Sequence, residues 1–166
     1  GGSAGWLSAG IIAARHGSQV DITLIESPDV KPIGVGEGTW PTMKATLSEM
    51  GVSETEFFRE CDVSFKQGAK FSQWVTGDSD DYYYHPLMLP QDFTNTNLAP
   101  FWLKEKTNLS FSNSVCFQES LCELGLAPKT LVMPEYNAVA NYAYHLDAGK
   151  FTEFLRKFCT EKLNVN

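Results

Sequence analysis

Apolar residues run almost all the way round the stretch 4–16, where Trp6, Leu7, Ala9, Ile11, Ile12, Ala13 and Ala14 leave few polar positions. Such a pattern predicts a helix buried against a sheet, and Gly17 is a suitable stop. The next run, D-I-T-L-I-E at 21–26, is β-branched and apolar, and predicts a strand. A glycine turn, a helix and then a strand make up most of a βαβ unit, one whose first strand would precede residue 1.

Residues 28–39 are rich in Gly and Pro and read as a loop whose backbone passes close to something. A helix is predicted over 40–50, with Pro41 in its first turn and Gly51 just past its end. Ser53 and Glu56 have the spacing of a capping box for a short helix reaching Cys61. Residues 64–75 alternate as one strand, with Lys66, Gly68, Lys70, Ser72 and Trp74 on one face. The pattern weakens over 76–141, where long loops with short strands are expected to shape a substrate pocket. It returns at Asp147, an N-cap followed by Phe151, Phe154, Leu155, Phe158 and Cys159 at helical spacing.

Composition narrows the class. The 166 residues are 43% hydrophobic and 13% aromatic, which suits a packed chain and not a disordered one. The net charge of −7, with no basic cluster, argues against nucleic acid or an anionic membrane as a partner. No apolar run approaches the ~20 residues of a membrane-spanning helix. Cys61, Cys116, Cys122 and Cys159 form no C-x-x-C pair, so they read as reduced thiols of a cytoplasmic protein.

The chemistry begins at Gly1-Gly2-Ser3-Ala4-Gly5. Gly2 and Gly5 match the last two glycines of a G-x-G-x-x-G dinucleotide turn. Glycine at the first of these lets backbone approach a pyrophosphate, and at the second lets helix and strand pack closely. The phosphate would rest on the helix N-terminus. Glu26, closing the following strand, stands where an acid takes ribose hydroxyls. On these residues alone the nucleotide is either NAD or FAD.

Five blocks in order resemble the flavin-dependent tryptophan halogenase family. They are G-G-S-A-G-W at 1–6, I-T-L-I-E-S at 22–27, I-G-V-G-E-G-T-W-P at 33–41, S-F-K-Q-G-A-K-F-S-Q-W at 64–74, and N-Y-A-Y-H-L-D-A-G-K-F-T-E-F-L-R at 141–156. The G-V-G-E loop and the lysine strand are the specific ones. The resemblance implies an α/β, Rossmann-like FAD-binding fold of flavin monooxygenase type, incomplete here, with a loop-rich substrate region. Residues 1–166 would be the N-terminal part of a single FAD-binding halogenase domain, lacking its first strand and C-terminal part, and inactive alone.

The activity implied is halogenation of an aromatic substrate such as tryptophan or another indole. FAD, reduced by a separate flavin reductase, would react with oxygen and chloride or bromide. The resulting hypohalous acid would reach a lysine beside the small aromatic substrate. Lys66 matches that lysine and is the catalytic candidate, with Lys70 structural. Its role as a haloamine needs a neutral amine, which a dry pocket favours. Gly1, Gly2, Ser3, Ala4, Gly5 and Glu26 would bind FAD, together with Val35, Gly36 and Glu37 of the second loop. No metal is implied.

His85, after Tyr82-Tyr83-Tyr84, resembles the histidine that the family sets against the substrate ring. The family usually has a Phe two residues later, where this chain has Leu87, which puts free tryptophan as substrate in doubt. His145 and Asp147 read as packing and capping, and Trp6, Trp40, Trp74 and Trp102 as core and pocket walls. The family's W-x-W-x-I-P stretch is absent. Two rivals share the glycine turn: a flavin monooxygenase, which has no need of Lys66, and an inactive FAD-binding module. An NAD-dependent dehydrogenase is disfavoured by the G-V-G-E loop.

Overall fold

The computed structural model describes residues 1–27, 29–30, 37–105 and 107–166. These divide into two compact units. The first is Gly1–Lys66, Pro134–Tyr136 and Ala143–Asn166, and the second is Gln67–Met133 and Asn137–Tyr142.

In the first unit, helix α1 (Gly2–His16) packs against α2 (Thr42–Met50) and α7 (Ala148–Leu163). The buried residues of α1, namely Trp6, Ala9, Gly10 and Ala13, recur at i, i+3, i+4 and i+7, which makes one stripe. Ile12 on the opposite side is 44% exposed, so α1 is not apolar-buried all round. Its stop is Gly17, at φ 53°. Helix α2 begins at Thr42 with Pro41 as N-cap and ends on Gly51 in the left-handed conformation.

Helix α3 (Glu54–Glu60) starts at Ser53, whose Oγ accepts from the Glu56 amide at 3.3 Å. Helix α7 starts at Asp147, whose carboxylate accepts from the Lys150 amide at 2.8 Å. Phe151, Phe154, Leu155 and Cys159 are buried along α7. Phe151 and Phe154 meet the Phe57 ring, which stands edge to face with Tyr144 at 5.0 Å. Such pairs add about 1 kcal/mol beyond the burial of their area.

The strand expected over 64–75 is two strands. β1 (Ser64–Lys66) pairs antiparallel with β4 (Ala143–His145), while β2 (Gly68–Ser72) pairs antiparallel with β3 (Tyr82–Pro86). Gln67 separates them, and alternation alone could not show a change of partner. The strand expected over 21–26 is extended without being part of an assigned sheet. Among the described residues its backbone pairing is with one residue: Leu24 N donates to Asn166 O at 2.7 Å, and Asn166 N donates to Ile22 O at 2.9 Å. This is a parallel arrangement, but a single partner residue makes no ladder. Both assigned sheets are antiparallel, so the parallel sheet of the expected fold is not among the described strands.

The second unit holds the β2–β3 hairpin, α4 (Ala99–Glu105), α5 (Phe111–Val115) and α6 (Gln118–Glu123). Three short helices therefore occupy a region read as loops and short strands. Buried side chains tie its irregular segments. Gln118 accepts from the Met88 amide at 2.8 Å and donates to the Asn141 carbonyl at 2.5 Å. Gln67 Nε2 donates to the Leu126 carbonyl at 2.7 Å. Among the described residues, no helix is long and apolar enough to cross a membrane. The four cysteines are free thiols.

Candidate active site

Two clusters lie in the first unit. The first is at the start of α1. Glu26 Oε2 accepts from the Gly2 amide and from Trp6 Nε1, both at 3.1 Å. Ser3 Oγ is 2.6 Å from Thr152 Oγ1 on α7. Gly1 is the N-cap and provides no side chain there. A Cβ on Gly1 would lie 2.5 Å from Glu26 Cβ, so the acid's approach requires glycine. Gly2 has φ +67°, and a Cβ there would meet nothing within 4 Å. Beside Gly2 the turn is open and Gly1 brings no capping side chain, which leaves room for a phosphate group next to the amide that Glu26 holds. A Cβ on Gly5 would stand 3.2 Å from Leu24 Cδ1, so the expected close packing against the extended segment is present. Nothing in the sequence marks Trp6 as the second donor to Glu26, because a buried tryptophan reads simply as core.

The second cluster surrounds Lys66. β4 is flanked by β1 on one edge and by residues 37–39 on the other. Leu146 N donates to Glu37 O at 3.1 Å, Gly38 bridges His145, and Thr39 N donates to Tyr144 O at 2.8 Å. The Lys66 side chain reaches across to donate from Nζ to Thr39 O at 3.2 Å. Nζ also lies over the Trp40 ring, 5.0 Å from its centroid. A Cβ on Gly38 would stand 3.1 Å from that Nζ, so a larger residue would crowd the amine. Burial, and secondarily the charge of Lys66, hold the pKa of His145 below its ordinary value.

The structure therefore brings Lys66 together with Thr39, Trp40 and His145. Glu37 is fixed through its carbonyl, while Val35 and Gly36 lie outside the described residues. Trp40 and Trp74 are 63% and 68% exposed, so neither is core, and only Trp6 of the four tryptophans is fully buried. Trp40 faces a lysine and lines an open groove with Leu7, Ile11 and Met43.

In the second unit, His85 lies exposed on β3 opposite Ala69. Lys70 sits opposite Tyr84 in the same hairpin and pairs with Glu123 at 2.7 Å. That ion pair, with the Glu123 hydrogen bond as largest cause, raises the Lys70 pKa and keeps it an ammonium.

Several proteins that resemble this chain are halogenases. Tryptophan 7-halogenase RebH of Lentzea aerocolonigenes is 34% identical over 182 residues, covering 99% of this chain and 34% of its own length. The crystal structure of a tryptophan halogenase from Shewanella frigidimarina NCIMB 400 superposes with a TM-score of 0.91 at 46% identity, over 100% of this chain and 34% of that one. A flavin-dependent halogenase from Xanthomonas campestris gives a TM-score of 0.80 at 31% identity, over 100% of this chain and 33% of that one. The tryptophan halogenase family profile matches residues 1–166, and the chain belongs to that family. It spans about a third of the length of these relatives.

Proposed function

We propose that the protein carrying this chain halogenates a small aromatic substrate using FADH2, oxygen and chloride or bromide, with Lys66 as the residue that holds the halogen. The observation that carries this reading is the setting of the Lys66 amine. It is half-buried, rests on the neutral Thr39 carbonyl and lies over an aromatic ring. Family membership supports the same chemistry. The whole domain is read as Rossmann-like.

The residues at the start of α1 fit a dinucleotide. Gly1, Gly2, Ser3, Ala4 and Gly5 would present backbone N–H groups to the pyrophosphate, and Glu26 would meet the ribose. Val35, Gly36 and Glu37 would border the flavin. Bound reduced flavin supplies, with oxygen and halide, the hypohalous acid. The Lys66 amine would then take the halogen, forming an N–halogen bond while its proton and the displaced hydroxide leave as water. His85 is the candidate to orient the substrate ring. A separate flavin reductase is the implied partner.

The test uses the full-length protein with a flavin reductase, NADH, oxygen, bromide or chloride, and a panel of indoles and phenols read by mass spectrometry. Halogenated product from the wild type and none from Lys66→Ala, with flavin oxidation intact, is the expected result. Hydroxylated product without halogen would instead establish a monooxygenase. Flavin binding without product on any substrate would favour an inactive module.

A further inference from the structure

The ring beneath the Lys66 amine belongs to the protein itself. Nζ lies over the Trp40 face, 5.0 Å from the centroid, and the indole is 63% exposed. Electrophilic substitution of an indole proceeds through that face. The span between amine and ring is of the size of one N–halogen bond plus a van der Waals contact. The tether is short and directed, because the amine is also anchored on Thr39 O at 3.2 Å.

We propose that Trp40 is a self-modification site, taking halogen from Lys66 when no organic substrate competes for it. The inference rests on the reading of Lys66 as the halogen-holding lysine. The oxidant is hypohalous acid, which gives Lys66 its halogen with loss of water. In the transfer the N–halogen bond breaks and a C–halogen bond forms on the electron-rich ring of the indole. The amine recovers its electron pair and takes up a proton while the ring carbon gives one up, which returns Lys66 to the amine it began as. The halogen is reduced by two electrons and the indole oxidised by two.

Lys70 provides a contrast within the chain. It too lies over aromatic rings, 4.1 Å from Tyr82 and 5.3 Å from Tyr84, but it is ion-paired with Glu123. The carboxylate competes with halogen for that amine, so Tyr82 and Tyr84 should be labelled less than Trp40.

The test treats the full-length protein with limiting hypobromite and maps bromine and added oxygen by peptide mass spectrometry. Trp74, 68% exposed, serves as the internal reference for exposure, and Trp6, 4% exposed, reports unfolding. Modification of Trp40 should exceed that of Trp74 several-fold in the wild type. In Lys66→Ala or Lys66→Met it should fall to the Trp74 level while Trp6 stays unmodified. Trp74 modified as fast as Trp40 in the wild type overturns the proposal, as does equal Trp40 labelling in wild type and a folded variant. The wild-type comparison can overturn the proposal even if both variants unfold. Because the oxidant is added as reagent, this result is independent of the product assay that tests the halogenase reading.

Discussion

Trp6 and Glu26 are joined by a 3.1 Å hydrogen bond from the indole Nε1 to Oε2, the same oxygen that takes the Gly2 amide. The tryptophan is 4% exposed, so its donor would be costly to leave unmet. The bond also orients the acid that would hold the ribose. Trp6→Phe keeps most of the ring packing and deletes the bond. It should weaken FAD binding several-fold and lower stability by about 1–2 kcal/mol, read by flavin fluorescence titration and urea unfolding. Unchanged affinity would show that Glu26 needs no second donor.

Gly2 has φ +67° with open space beyond it. An alanine there meets no neighbour, but it must adopt a left-handed conformation at a cost of roughly 1–2 kcal/mol. Its methyl would also intrude where a phosphate would lie. Gly2→Ala should therefore reduce FAD affinity more than it reduces stability. The same titration paired with thermal melting separates the two effects.

His145 and Lys66 are electrostatically linked. The histidine pKa sits below the ordinary 6.5, with burial the larger cause and the lysine charge the second. Lys66→Ala should raise that pKa while leaving it below the ordinary value, as followed by NMR titration of the ring protons. The linkage sign follows. The folded state binds this proton less readily than the unfolded state, so stability falls as pH drops below about 6.5 toward the folded pKa. Removing Lys66 should flatten that fall. A histidine pKa that does not move in the variant would mean the charges do not communicate.

Glu135 accepts from Ser53 Oγ and from the Thr55 amide, both at 2.8 Å, at the start of α3. These bonds, led by the Thr55 backbone contact, lower its pKa from 4.5 to about 2. The stabilisation is complete above about 4.5 and is lost as pH falls toward about 2. Glu135→Gln should melt below the wild type at neutral pH, and the two melting temperatures should converge near pH 2. A constant gap would assign the effect to packing.

Legibility in the sequence followed the distance between partners. Helix α7 was readable because its apolar period and its Asp147 cap lie within one segment. Gly17 and Gly51 marked two further ends for the same reason. The break at Gln67 was not readable, since alternation continues through it while the partners of β1 and β2 lie in β4 and β3. Helices α4, α5 and α6 are too short to establish a period. At the site, Lys66 was found by resemblance and the glycine turn by motif. Trp40, beside the G-V-G-E stretch, reads in the sequence as a wall and not as the ring over which the lysine lies. Glu135 offered no signal, because its contacts to Ser53 and Thr55 span 80 or more positions.

The pairing of Ser64 with His145 also sets a schedule for synthesis. The ribosome delivers Ser64–Lys66 long before it delivers Ala143–His145, and Thr39 must wait for Tyr144, 105 positions later. Closing such distant pairs is slow and entropically costly. The lysine strand therefore emerges as an unpaired edge, and the nascent chain must keep it from wrong partners until β4 arrives.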